Sequence, residues 1–163
     1  MQPEFSRPLP LGTVGPAGRH VEITATPAEC EALSRRFHLL GIAALAAELR
    51  LTPEPDGAVR AEGRFTATVT QACIVTLEPV EQQMAESLAF RLLPPEQEEA
   101  DGPEDLDEIA CPDGVADLGE AVAEQLALAL DPYPRAPGAE LPPEAQDGQT
   151  GAFAALATLR RPQ

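Results

Sequence analysis

From Val59 to Gln71 one parity carries Val59, Ala61, Gly63, Phe65, Ala67, Val69 and Gln71, and the other carries Arg60, Glu62, Arg64, Thr66, Thr68 and Thr70. A repeat of two is that of a β-strand, whose successive side chains point to opposite faces; a helix, with about 3.6 residues per turn, would scatter the same apolar set around its axis. A strand this long with one polar face requires a sheet that is buried on one side only. The alternation recurs upstream, where Leu45, Ala47, Leu49 and Leu51 stand against Glu48 and Arg50, and Pro53 to Gly57 supply turn chemistry between the two runs. The pair reads as an antiparallel hairpin. After a break near Glu78-Pro79, Met84 to Leu93 offers another strand, with Leu88, Phe90 and Leu92 inward. No helix long enough for a parallel crossover intervenes. The expected fold class is therefore α+β, with an antiparallel sheet of about four to six strands.

Two helices are expected to pack on that sheet. His20 to Thr24 forms a short strand pattern, and Thr26-Pro27-Ala28-Glu29 follows as a capping box with proline at the first helical position. The helix it opens places Cys30, Leu33, Phe37 and Leu40 on one face and ends at Gly41. Asp117-Leu118-Gly119-Glu120 is a second capping arrangement, and Leu118, Val122, Leu126, Ala129 and Leu130 make the apolar stripe of a helix reaching about Asp131. Pro132 and Pro134 stop it.

At 163 residues the chain suits one domain with a real core, an aliphatic one, since Trp is absent and aromatic residues make up only 4%. Within it, residues 1–19 are rich in Pro and Gly and are expected as an extended arm, anchored by Phe5, Leu9 and Leu11. Residues 94–114 hold eight carboxylates and no base between Glu96 and Glu108, and are expected as a mobile acidic loop. Residues 136–163 form a tail whose segment from Ala152 to Arg160 has a short helical pattern.

The net charge of −16 argues against direct nucleic-acid binding and against an anionic membrane surface, because both draw on clustered positive charge. A basic protein partner fits better. All 11 cations are Arg, and Arg60 and Arg64 on the polar strand face are the candidates for local RNA contact, with a solvated strand face as the plainer reading. Neither terminus reads as a leader and no stretch is long and apolar enough to span a membrane, so a soluble cytoplasmic protein is expected.

Catalytic chemistry finds little support. The two histidines are His20, on a strand edge, and His38, near a helix C-terminus where the helix dipole accounts for it. Gly12, Gly15 and Gly18 do not join a strand to a capped helix, so they form no phosphate loop. The acidic stretch lacks the alternating spacing and central glycine of a calcium loop. Cys30, Cys73 and Cys111 are odd in number and dispersed, which suggests neither a disulfide framework nor metal spacing. Cys73 falls on the inward parity as a small buried hydrophobe, while Cys111 in the expected loop carries no signal. The expectation is a protein with no catalytic residues, no metal and no cofactor.

Thr70-Gln71-Ala72-Cys73-Ile74-Val75-Thr76-Leu77-Glu78-Pro79-Val80, followed about 40 residues on by the run from Asp117-Leu118-Gly119-Glu120 to Pro132-Tyr133-Pro134-Arg135, resembles the alphaproteobacterial branch of the YceD-like family. The resemblance extends to Ser6-Arg7-Pro8-Leu9, the segment from Ile23 to Glu29, and Phe153-Ala154-Ala155-Leu156. It marks Cys73, Thr76, Leu77, Glu78, Pro79, Asp117, Leu118, Gly119 and Glu120 as family-motif residues. It implies a role in accumulation of the large-subunit ribosomal RNA. Many members carry a second cysteine where Thr76 stands, and some a cysteine cluster after the last helix, resembling a zinc site; this chain has neither, so zinc is not expected. Combined with the charge, the resemblance suggests an acidic escort for a basic large-subunit ribosomal protein or an assembly intermediate. The partner would be met through Glu96, Glu98, Glu99 and Asp101, with Phe153 and Leu156 as apolar contacts. The alternative is an adaptor that binds RNA or ribosomal particles through the Arg face.

Overall fold

The computed structural model describes residues 3–99 and 106–141. The elements run β1 (Pro8–Pro10), a 3-10 turn (Leu11–Thr13), β2 (Arg19–Thr24), α1 (Pro27–Arg36), β3 (Gly41–Pro53), β4 (Val59–Ala72), β5 (Pro79–Leu93), β6 (Asp107–Ala110), β7 (Val115–Asp117) and α2 (Leu118–Ala129). A five-stranded sheet has the order β2-β3-β4-β5-β6, and β1 and β7 form a separate two-stranded pair. The architecture is α+β. Pairing is antiparallel except between β5 and β6, which run parallel.

The inward parity of β4 is the one its alternation predicts: Val59, Ala61, Phe65, Ala67 and Val69 are buried, opposite Leu88, Phe90 and Leu92 of β5. Leu45, Ala47, Leu49 and Leu51 of β3 join the same core, which α1 closes with Cys30 and Leu33 and α2 with Leu118, Val122 and Leu126. Gly63 sits where β4 comes so close to β3 that an added Cβ would lie 1.8 Å from the Glu48 carbonyl oxygen. Only glycine permits that approach.

Several details depart from the expectation. Helix α1 ends at Arg36 rather than Gly41, because His38 adopts φ 55 and reverses the chain. The His38 N–H donates to the Arg35 carbonyl and the Leu39 N–H to the Ser34 carbonyl, the paired bonds of a Schellman cap. Leu40 therefore lies outside the helix, exposed, and Gly41 opens β3, which starts four residues before Leu45.

The 1–19 segment is more than an arm. Phe5, Leu9 and Leu11 are buried, and β1 pairs with β7 across more than a hundred residues of sequence. The 94–114 acidic loop is also interrupted, since Asp107–Ala110 forms β6 against the edge of β5. Carboxylate content misleads there because Arg91 of β5 compensates the charge, reaching Glu108 at 2.5 Å, Glu54 at 2.7 Å and Asp56 at 2.7 Å. Cys111, read as uninformative, is buried in the core behind β6. Asp101, Phe153, Leu156 and the expected terminal helix lie outside the described residues.

Candidate functional site

At the end of β4 the chain turns through Cys73-Ile74-Val75-Thr76-Leu77-Glu78 into β5. The turn is closed twice by backbone, with the Leu77 N–H donating to the Cys73 carbonyl at 2.9 Å and the Cys73 N–H to the Glu78 carbonyl at 2.8 Å. Inside it the Cys73 Sγ accepts the N–H groups of Val75 and Thr76, each at 3.4 Å. A third donor comes from beyond α2, the Ala136 N–H at 3.2 Å. This is a sulfur knuckle, in which backbone dipoles converge on one thiol. The Ala136 N–H, then the donors of Thr76 and Val75, pull the Cys73 thiol down to about 7, against burial, which raises it. Cys30 and Cys111 behave oppositely, since burial pushes both thiols up. Cys73 is a buried side chain, as its parity suggests, but in a polar setting that parity does not reveal.

The segment after α2 is bound to this knuckle along its length. The Gln71 amide donates to the Asp131 carbonyl at 3.0 Å, and the Ile74 N–H to the Pro134 carbonyl at 2.9 Å. Thr76, which stands where the resemblance would put a second cysteine, accepts the Glu78 N–H on its hydroxyl at 3.3 Å. Among the described residues, no group of three or more His, Cys, Asp or Glu side chains is placed to hold a metal ion.

The second half of the motif lies at the opposite end of α2. Asp117 caps the helix by accepting the Glu120 N–H at 3.1 Å, and the same carboxylate accepts the Arg7 N–H at 2.8 Å and the Ser6 hydroxyl. Gly119 is needed for that contact, since an added Cβ would sit 2.4 Å from the Phe5 carbonyl oxygen. Glu120 turns outward to Arg36 at 2.6 Å, and Leu118 is buried. Asp117, Leu118, Gly119 and Glu120 thus lock the N-terminal segment onto α2. The two motif halves are joined by one helix but form separate clusters.

The carboxylates expected to meet a partner lie elsewhere again. Glu96, Glu98 and Glu99 are exposed just after β5, at the end of the β4–β5 hairpin away from Cys73. β4 has 14 residues, and a strand of that length spans roughly 45 Å at about 3.3 Å per residue. Acidic segment and knuckle therefore occupy opposite ends of the sheet. Glu99 accepts the Ala110 N–H at 3.2 Å, which ties this segment to β6.

On the outer sheet face Arg60 is already bonded to Glu54 at 3.0 Å and lies 3.5 Å from Glu62. Arg64 stands opposite Glu48 of β3 in the register. Arg7, Arg35, Arg36 and Arg91 also pair with carboxylates. No helix among the described residues is long and apolar enough to cross a membrane.

Fold and site together define a small acidic α+β protein whose most constructed feature is a knuckle around a single thiol. A family model described as large ribosomal RNA subunit accumulation protein YceD matches residues 61–159, which include nearly all of β4, the knuckle, the Asp117–Glu120 cluster at the start of α2 and the segment after that helix. The chain belongs to the YceD family, and with that membership comes a role in accumulation of the large-subunit ribosomal RNA. No curated protein and no solved structure matches the chain.

Proposed function

We propose that the protein is a non-catalytic cytoplasmic factor that supports large-subunit ribosomal RNA accumulation by escorting a basic ribosomal protein or an assembly intermediate. The observation that carries this reading is electrostatic. The chain has 27 carboxylate residues against 11 arginines, and Arg60, one of the two arginines on the polar strand face, is engaged with Glu54 of the same molecule, as Arg91 is with Glu54 and Glu108. A chain so charged repels naked RNA and attracts a cationic protein, whose charge it screens until assembly. Exposed Glu96 and Glu98 supply part of the attraction. The adaptor reading is weakened at Arg60, which is bonded to Glu54, and rests on Arg64.

The test is a salt series on association with purified basic large-subunit proteins and with ribosomal RNA. Exposed charges are screened beyond about 8 Å at physiological salt, so association with the protein partner should slow as salt rises. Replacing Glu96, Glu98, Glu99 and Asp101 by Gln or Asn should imitate high salt. Tighter binding to RNA than to any ribosomal protein, or an unchanged rate in the neutralised variant, refutes the escort.

A further inference from the structure

We infer that the knuckle end of the molecule is a docking surface for a cationic protein segment bearing apolar anchor side chains. The inference rests on the escort reading for the partner's class, and on the following observations for the place.

Leu77 adopts φ 63 and is 76% exposed. An L residue with a Cβ is disfavoured in this left-handed region, which glycine enters without strain. The folded chain thus holds out, in a disfavoured backbone conformation, a large apolar side chain that it does not bury. Leu77 is not isolated. Ile74 in the same turn is 46% exposed, Tyr133 is 69% exposed, and Leu40 is 59% exposed. Their backbones meet at this end of the sheet: the Ile74 N–H donates to the Pro134 carbonyl, next to Tyr133, and the Leu40 N–H to the Thr70 carbonyl, each at 2.9 Å. The Cys73 sulfur joins the Ile74–Leu77 turn to the segment after Tyr133 through its bonds from Thr76 and Ala136. Aromatic and aliphatic anchors on a backbone fixed in advance lose little freedom when they bind.

Charge selects the occupant. Glu78, Glu81 and Asp131 flank these residues, with Arg135 as the nearby cation. A second copy would bring the same carboxylates against each other, between molecules that each carry −16. Anionic lipid is repelled for the same reason. A cationic protein segment with apolar side chains satisfies both the apolar anchors and their acidic rim.

The full-length chain is compared with Leu77→Gly, Tyr133→Ser and, as a control at the other end of α2, Val115→Ser. Glycine suits the backbone at position 77, so Leu77→Gly should melt no lower than the parent. Each is titrated with individually purified basic proteins of the large ribosomal subunit at low and high salt. The expected result is an affinity loss of about tenfold or more in the two knuckle variants, none in the control, and a salt-resistant remainder in the parent that Leu77→Gly lacks. Tyr133 is the single tyrosine, so fluorotyrosine incorporated there should shift on binding. Parent-level affinity in both knuckle variants overturns the inference and leaves the escort standing. A parent that binds none of these proteins overturns both. Concentration-dependent dimers lost in Leu77→Gly, or a fluorine label shielded from solvent in the free chain, assign the surface to a second copy or to the chain's own C-terminal residues and likewise overturn it.

Discussion

The N–H of Ala136 donates to the Cys73 sulfur at 3.2 Å, across 63 residues of sequence. That bond joins the end of the β4 strand to the chain emerging from α2, and it makes the knuckle thiol the most acidic of the three cysteines.

The first prediction is a titration. Thiolate absorbance in the ultraviolet should show one group ionising near 7, and Cys73→Ala should remove it. The folded value is depressed from an ordinary 9.0, so the stabilisation is complete above 9.0 and is lost as pH falls through about 7. The parent should therefore gain stability relative to Cys73→Ala as pH rises from about 7 to 9.0. Parallel stability curves over that window would show that the converging N–H groups do not hold a thiolate.

Arg7 clamps the first turn of α1, with its Nη1 and Nη2 donating to Glu29 at 2.7 and 2.9 Å, while Glu29 also accepts the Thr26 N–H. The Arg7 guanidinium, ahead of the Thr26 donors, holds the Glu29 carboxyl at about 2 against an ordinary 4.5. Glu29→Gln should cost on the order of 1–2 kcal/mol at neutral pH. The folded carboxyl is the more acidic one, so the parent's advantage is full above about 4.5 and declines as pH falls toward about 2. Urea unfolding of both proteins across that range measures it.

Glycine to alanine inside a helix ordinarily stabilises by roughly 0.5–1 kcal/mol. Gly119→Ala should instead destabilise by about 1–3 kcal/mol, because the new methyl group meets the Phe5 carbonyl oxygen and must displace the N-terminal segment. Gly12→Ala, with no atom within 4 Å of the added carbon, should be near neutral. Denaturation midpoints of the two variants decide the comparison, and faster proteolysis near Phe5 in Gly119→Ala should accompany the shift.

Arg91 is the hub for Glu54, Asp56 and Glu108. Arg91→Met should cost about 1–3 kcal/mol, less than for a fully buried pair because part of the cluster is solvated. The loss should be local as well as global, with amide exchange accelerating in β6 before the rest of the sheet. Unchanged protection of Asp107–Ala110 would mean that the arginine does not hold β6 on its edge.

The parity of β4 and β5, the Thr26 capping box and the Asp117 cap were legible in the amino-acid order, because each depends on residues a few positions apart: alternation along a strand, or a side chain reaching an N–H three residues on. Tertiary structure alone decided that Leu9, expected as an anchor of an extended arm, reaches the core on a strand, β1, paired with β7, that acidic Asp107–Ala110 becomes a strand, and that Ala136 completes the Cys73 knuckle. It also separated the acidic segment from the knuckle, although both flank the same strand, β5. The physical reason is shared by all of these. Each depends on which backbone donors, sheet edges and countercharges remain unsatisfied once the hairpins have formed, and that remainder belongs to the assembled sheet rather than to any stretch of sequence.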